Sequence, residues 1–210
     1  MYVPVAFAEH DREKLIAFIR AHSFAVLVST IDNEPFATHL PLLVDERVEP
    51  HGHLLGHVAR ANPHAQALDG QDALAVFHGP HAYVSPRWYE SDGMVPTWNY
   101  VAVHVYGRCE VVDEATTVEI LSETVARHES AMPAPWSMDS SEDRFRKLAA
   151  GVVGFRLAIS RIEGKWKLGQ NHPAEVRQRA ATHLANCADA SSRAIARLMT
   201  AVLGGDPPGQ

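Results

Sequence analysis

Two cysteines in 210 residues, Cys109 and Cys187, are too few for a disulfide framework. A chain this poor in cysteine is expected to keep its thiols reduced, and the cytoplasm is the compartment that implies. Long apolar runs are missing as well. None reaches the roughly 18 residues that a membrane span needs, so no membrane partner is expected. The opening Met1-Tyr2-Val3-Pro4-Val5-Ala6-Phe7 has no basic segment ahead of an apolar core and does not read as a secretory signal. Positive charge is in deficit: with 19 Lys and Arg against 25 Asp and Glu, the net charge of −6 argues against a grip on DNA spread over the whole surface. A local basic patch stays open. No G-x-G-x-x-G follows a strand-like run, which argues against a Rossmann dinucleotide site. No G-x-S-x-G elbow marks a nucleophilic enzyme, and the carboxylates Glu90 and Asp92 read as solvated loop. No catalytic residue is assigned.

What the chain does have is an ordinary globular balance, 46% hydrophobic and 21% charged, at a length that suits one generous domain or a domain with an appendage. Histidine is abundant, at thirteen residues. The close groupings, His51-x-His53 with His57 nearby and His78-x-x-His81, lack cysteine or carboxylate companions at zinc spacing, so no metal site is expected.

The pattern along the chain is mainly β. Asp11 stands near the N-cap of a short amphipathic helix carrying Leu15, Ile16 and Ile19. Residues 24–31 and 36–44 flank the turn residues Asp32-Asn33-Glu34-Pro35 and read as a hairpin. Strands are expected at 53–59, 73–77, 82–85, 100–112 and 152–162, with Glu163-Gly164 turning the last of them into Trp166. Pro63 suits the first turn of a short helix through Leu68. Helical spacing covers 116–128, and Ser140-Ser141-Glu142-Asp143 resembles a helix start. From 173 to 203 the composition turns to Ala and Arg at helical spacing, and 204–210 reads as a disordered tail. Short turns between strands favour an antiparallel barrel over parallel βαβ units.

Several segments crowd aromatics, prolines and polar groups at strand ends. They are Gly56-His57-Val58-Ala59-Arg60-Ala61-Asn62-Pro63, Phe77-His78-Gly79-Pro80-His81-Ala82-Tyr83-Val84-Ser85-Pro86-Arg87-Trp88-Tyr89, and Val95-Pro96-Thr97-Trp98-Asn99-Tyr100. With them go Met1-Tyr2-Val3-Pro4, Thr38-His39-Leu40-Pro41-Leu42 and Lys165-Trp166-Lys167-Leu168-Gly169-Gln170-Asn171. Taken in order from Met1 to about Asn171, they resemble the PaiB-type family of FMN-binding negative transcriptional regulators. The resemblance implies an α+β, mainly β fold. This is the antiparallel split β-barrel of FMN-binding, pyridoxamine phosphate oxidase-like proteins, with peripheral helices and a C-terminal helical arm. It implies a barrel domain over 1–172, a helical extension over 173–203 and a tail over 204–210. It also implies a homodimer with FMN in a groove at the protomer interface, a setting that suits the Trp and Tyr load outside the strands.

FMN asks for a cation or amide donors at its phosphate, apolar walls around its isoalloxazine, and polar groups at its pyrimidine edge. Val58, Ala59, Arg60 and Asn62 bring a cation to a strand end just before a helix start, and resemble the phosphate segment of the split-barrel flavoproteins. The alternative for Arg60, a surface cation beside a carboxylate, is the weaker reading in this Ala-Arg-Ala-Asn-Pro context. Thr38 and His39 are expected to face the same groove. Thr97, Trp98 and Asn99 are the choice for the isoalloxazine rim, either within one protomer or reaching across from the second. Lys167, Gln170 and Asn171 follow Trp166 as a Trp and a cation close the pocket in the wider superfamily. His57 joins the cofactor set, although His39, His57 and His104 taken singly are better read as core histidines donating to carbonyls.

Two further functions stay beside the regulator reading: an FMN-dependent oxidoreductase and a haem-binding split-barrel protein. For DNA, the C-terminal stretch with Arg177, Arg179, Arg193 and Arg197 is the one candidate element, and support for it is weak.

Overall fold

A computed structural model describes residues 1–48, 50–138 and 143–204. Its eight strands are β1 (Ala8–Glu9), β2 (Phe24–Ile31), β3 (Glu34–Pro41), β4 (Leu43–Asp45), β5 (His53–Ala59), β6 (Asp72–Val84), β7 (Thr97–Val111) and β8 (Val152–Lys167). They form one mainly antiparallel sheet in the order β3-β2-β6-β7-β8-β5-β4, with β1 paired to β8. The helices among the described residues are α1 (Arg12–Ala21), α2 (His64–Ala67), α3 (Glu114–Glu129), α4 (Asp143–Ala149), α5 (Ala174–Ala185) and α6 (Ala190–Ala201). The chain divides into two compact units. One holds Met1–Leu15, His78–Val103 and the described residues from Glu163 onward; the other holds Ile16–Phe77 and His104–Ile162.

The second of these units starts from a hairpin. β2 and β3 pair from Phe24↔Pro41 to Ile31↔Glu34. Asp32 and Asn33 between them take φ of 51° and 62°. A two-residue type I′ turn needs left-handed backbone at both positions, and Asp and Asn tolerate it better than other side chains. β5 pairs along β8 from His53↔Ala158 to Ala59↔Val152. Leu27, Leu54, Ala75, Phe77, Phe155 and Leu157 are fully buried and form the apolar filling. Asp113 caps α3, its side chain accepting the Thr116 N–H at 2.7 Å.

In the first unit α5 and α6 pack as a helical hairpin, with Ala180, Leu184, Ile195 and Met199 fully buried. Asp189 caps α6 by accepting the Ser192 N–H at 2.7 Å. β1 meets β8 through Ala8↔Lys165 and Glu9↔Gly164.

The element boundaries depart from expectation in two instructive places. The two short strands expected at 73–77 and 82–85 are one strand, β6, running through Gly79-Pro80. Its pairing with β2 covers only Leu74–Val76, so Pro80 lies beyond the stretch where that edge asks for an N–H. Glu163-Gly164 is likewise no turn, because β8 continues through it to Lys167. Gly164 serves close approach instead: a Cβ there would meet Leu15 Cδ2 at 2.3 Å and the Trp166 ring at 2.9 Å. The expected helix-start residues Ser140, Ser141 and Glu142 lie outside the described residues, as does the tail from 205 to 210.

Candidate functional site

The residues expected around the cofactor fall into two groups, one in each unit. In the second unit they gather where β5 gives way to α2. The Arg60 backbone N–H donates to the Gly151 carbonyl at 2.9 Å. Its side chain donates from Nε to the Ala150 carbonyl at 2.6 Å and from Nη2 to the Val152 carbonyl at 2.9 Å. The guanidinium is thus an exposed cation braced by the backbone at the start of β8, and no carboxylate pairs with it among the described residues. Nη1 takes no part in the brace. That arrangement fits an oxyanion such as a phosphate.

Two residues further on, Asn62 organises a buried chain of polar groups. Asn62 Oδ1 accepts the His64 N–H at 2.9 Å, and Asn62 Nδ2 donates to Thr38 Oγ1 at 3.1 Å. Thr38 Oγ1 also lies 2.8 Å from His64 Nδ1, and His64 Nε2 lies 3.0 Å from Ser29 Oγ. His64 is fully buried, with its ring edge-on to Phe36 at 4.7 Å. Burial pushes its pKa below the usual imidazole range, so the ring is neutral, with one nitrogen donating and the other accepting. Neither His64 nor Ser29 was picked out by sequence. The local signal was there in Asn62-Pro63-His64, but the two hydroxyls that meet the ring come from strands 26 and 35 residues away.

Thr38 and His39 do not come together. Strand alternation leaves Thr38 half-buried against His64 and turns His39 outward, exposed, with Phe24 6.4 Å away between ring centres. Val58 is buried, Ala59 exposed, and His57 half-buried with its Nδ1 unpartnered among the described residues. Burial lowers the His57 pKa too.

The first unit gathers Thr97, Asn99, Lys167 and Asn171 around a cavity of about 250 Å3. Lys167 Nζ donates to Thr97 Oγ1 at 2.6 Å. Asn99 is fully buried, and its Nδ2 donates to Met199 Sδ at 3.3 Å. Trp98 points the other way along β7, 53% exposed beside Tyr83 and His81 with ring centres 6.0 and 6.1 Å off. Gln170 is engaged locally: its Oε1 accepts the Leu168 N–H at 2.8 Å and its Nε2 donates to the Trp166 carbonyl. It shapes the turn that carries Gly169, where φ is 82°. Asn171 is exposed, its Nδ2 lying 3.3 Å from His172 Nε2. Tyr89 and His172 also line this cavity and escaped the sequence reading. Tyr89 ends a segment quoted for its aromatics and His172 lies one residue beyond another, with no spacing to single them out.

The C-terminal arginines are mostly occupied within their own unit. Arg177 is 6% exposed and reaches the Val202 carbonyl at 3.5 Å. Arg179 Nε donates to the Tyr89 carbonyl at 2.7 Å, and Arg193 Nη1 to the carbonyls of Cys187 and Ala188. Arg197 is exposed. Among the described residues no group of three or more His, Cys, Asp or Glu is placed to hold a metal ion, and no helix is long and apolar enough to cross a membrane.

This architecture is that of the split-barrel flavin-binding proteins. It superposes on the FAD and heme binding protein from Mycobacterium smegmatis with a TM-score of 0.60 at 19% identity, covering 77% of this chain and 74% of that one. The flavocytochrome Anf3 from Azotobacter vinelandii gives a TM-score of 0.60 at 20% identity, covering 76% of this chain and 69% of that one. At such identities the likeness speaks for the fold alone. Sequence goes further. The chain is 32% identical over 201 residues to "Protease synthase and sporulation protein PAI 2" from Bacillus subtilis (strain 168), covering 95% of this chain and 96% of that protein. An uncharacterized protein of Aspergillus fumigatus is 29% identical over 85% of this chain and 88% of its own length. The model of the family described as "Putative FMN-binding domain" matches residues 1–161, and the chain belongs to that family. It is a PaiB-like FMN-binding protein, with FMN as its cofactor.

Proposed function

We propose that this FMN-binding chain works as a homodimeric, cytoplasmic regulator of the PaiB type. The FMN phosphate meets Arg60 in the turn formed with Val58, Ala59 and Asn62. Thr38 and His57 stand on that side, while His39 faces outward and takes no part in it. Thr97, Asn99, Lys167 and Asn171 are the first unit's candidates for an isoalloxazine bound across the dimer interface, whereas Trp98 points away from them and Gln170 is held in its own turn. Residues 1–172 form the flavin domain and 173–203 a helical extension. The observation that carries the cofactor assignment is the braced, carboxylate-free guanidinium of Arg60 at a strand-to-helix turn. The dimer is supported by the exposed aromatic load at Tyr83 and Trp98, 44% and 53% exposed, which a second copy would cover.

DNA contact in this reading is weak and of low sequence preference. Three of the four C-terminal arginines are engaged by carbonyls of their own unit, which supports a packing role over a recognition face. The same observation favours the second reading, an FMN-dependent oxidoreductase. One preparation separates them. Light scattering with absorbance detection is expected to give a dimer mass with one flavin per chain and no haem Soret band. A stable monomer at micromolar concentration overturns the dimer. A competitor-resistant complex with one promoter, lost on Arg193→Ala with Arg197→Ala, overturns weak DNA contact. Turnover with NADH or NADPH moves the protein to the oxidoreductase class.

A further inference from the structure

The first unit's cavity contains two polar atoms that the fold leaves without a hydrogen bond. Tyr89 is 1% exposed and Asn99 0%, and neither Tyr89 Oη nor Asn99 Oδ1 has a partner among the described residues. Both residues line the cavity. Protein interiors leave few such groups unsatisfied, and those that occur ask for a reason. Turning the Asn99 amide over would set its oxygen against the Met199 sulfur, so the end left free is the acceptor.

Among the described lining residues the charge is of one sign. Lys167 lines the cavity. Arg177 lies against Gly169, where its Cγ and Cδ come within 3.6 and 3.8 Å of a Cβ built on the glycine, and its Nε is buried without a partner. His172, also lining, is held neutral by burial and by those two cations. No carboxylate is among the described lining residues. Phe7 and Met94 add apolar wall. A half-buried Lys167 and a buried Arg177 without a carboxylate favour an anion, while a free carbonyl oxygen asks for an N–H or O–H donor.

We propose that this cavity binds a small organic carboxylate carrying a hydrogen-bond donor beside its acid group. Lys167 is the counter-charge, Asn99 Oδ1 accepts the ligand's donor, and the Tyr89 hydroxyl bonds to its polar end. At about 250 Å3 the cavity lies below the roughly 300 Å3 where pockets for drug-sized ligands begin, so it suits a one-ring or acyclic molecule and not a whole FMN. The inference goes beyond the FMN reading but shares Thr97, Asn99 and Lys167 with it, so the test keeps the two apart.

Hippurate, with its carboxylate next to an amide N–H, is the probe, titrated calorimetrically into FMN-loaded protein. Hippurate methyl ester lacks the charge and benzoate lacks the donor. One hippurate per chain is expected, with both controls bound at least about tenfold more weakly, as the loss of one charge-assisted or buried hydrogen bond implies. Tyr89→Phe is expected to weaken hippurate about tenfold while FMN absorbance stays at one per chain. Tyr89→Phe removes a single unpartnered oxygen and takes away no hydrogen bond of the fold, so it reads binding and not folding. No heat with hippurate, equal binding of acid and ester, or unchanged affinity in Tyr89→Phe overturns the proposal. Release of FMN in step with hippurate uptake also overturns it, because the cavity would then belong to the flavin. Failure to take up FMN at all is a separate result that sinks the cofactor assignment, and hippurate is then read on the flavin-free protein.

Discussion

Thr38→Val puts the polar chain around His64 to a quantitative test. Valine matches threonine in size and is at home in a strand, so the substitution deletes a hydroxyl without opening a cavity. Two groups lose their partner. His64 Nδ1 is fully buried and cannot turn to water, so it bears the desolvation cost of an unpaired polar atom, about 1–3 kcal/mol. Asn62 is half-buried and partly solvated, so losing its 3.1 Å bond costs only about 0.5–1.5 kcal/mol. Together these predict a loss of roughly 2–4 kcal/mol, which for a domain of this size lowers the melting temperature by about 4–16 °C. Urea unfolding is the assay, with an unchanged m-value as the sign that only stability has moved. Ser29→Ala orphans the other ring nitrogen, and since both hydroxyls act through one imidazole the double variant is expected to lose less than the sum. A Thr38→Val loss below about 0.5 kcal/mol, or strict additivity in the double variant, would refute the network as a source of stability.

Three other outcomes are expected. Arg60→Ala weakens FMN by about 10- to 150-fold, the worth of a charge-assisted hydrogen bond, and leaves riboflavin nearly unchanged; equal loss for both ligands in a fluorescence titration means that the arginine acts through packing. Acidification destabilises the fold: burial keeps His57, His64 and His172 below the usual imidazole range, and Arg177 and Lys167 add to this at His172. The unfolded chain therefore binds more protons below about pH 6.5, so stability is complete above that pH and falls beneath it, and a melting temperature that holds steady or rises between pH 6.5 and 5 contradicts this. Asp189→Ala removes the cap of α6 and costs about 1 kcal/mol in denaturant unfolding, whereas a neutral result would mean that packing against α5 alone holds that helix.

Local chemistry made most of the sheet legible. The Asp32-Asn33 turn announced its hairpin and Pro63 the start of α2, because each works through its own backbone and near neighbours. Breakers inside long strands misled, since Gly79-Pro80 and Glu163-Gly164 look like turns unless one knows which edge is paired and what presses on the glycine. At the candidate site, Arg60, Thr97 and Lys167 could be nominated from residue type and context. His64, Tyr89 and His172 could not. Their significance comes from partners far along the chain, or from the lack of a partner, and neither leaves a mark in the local sequence.

The two carbonyls beneath Arg60 carry a kinetic and entropic consequence. A free arginine side chain samples many rotamers, and an anion that captures it must freeze them at a cost of up to about 2 kcal/mol. Here that freezing has already happened when the chain folds, so an arriving anion meets a guanidinium at rest. Lysine cannot inherit the arrangement. Its single ammonium would have to leave the carbonyls of Ala150 and Val152 in order to meet the anion, so an exchange that preserves charge would still lose the readiness that the fold confers.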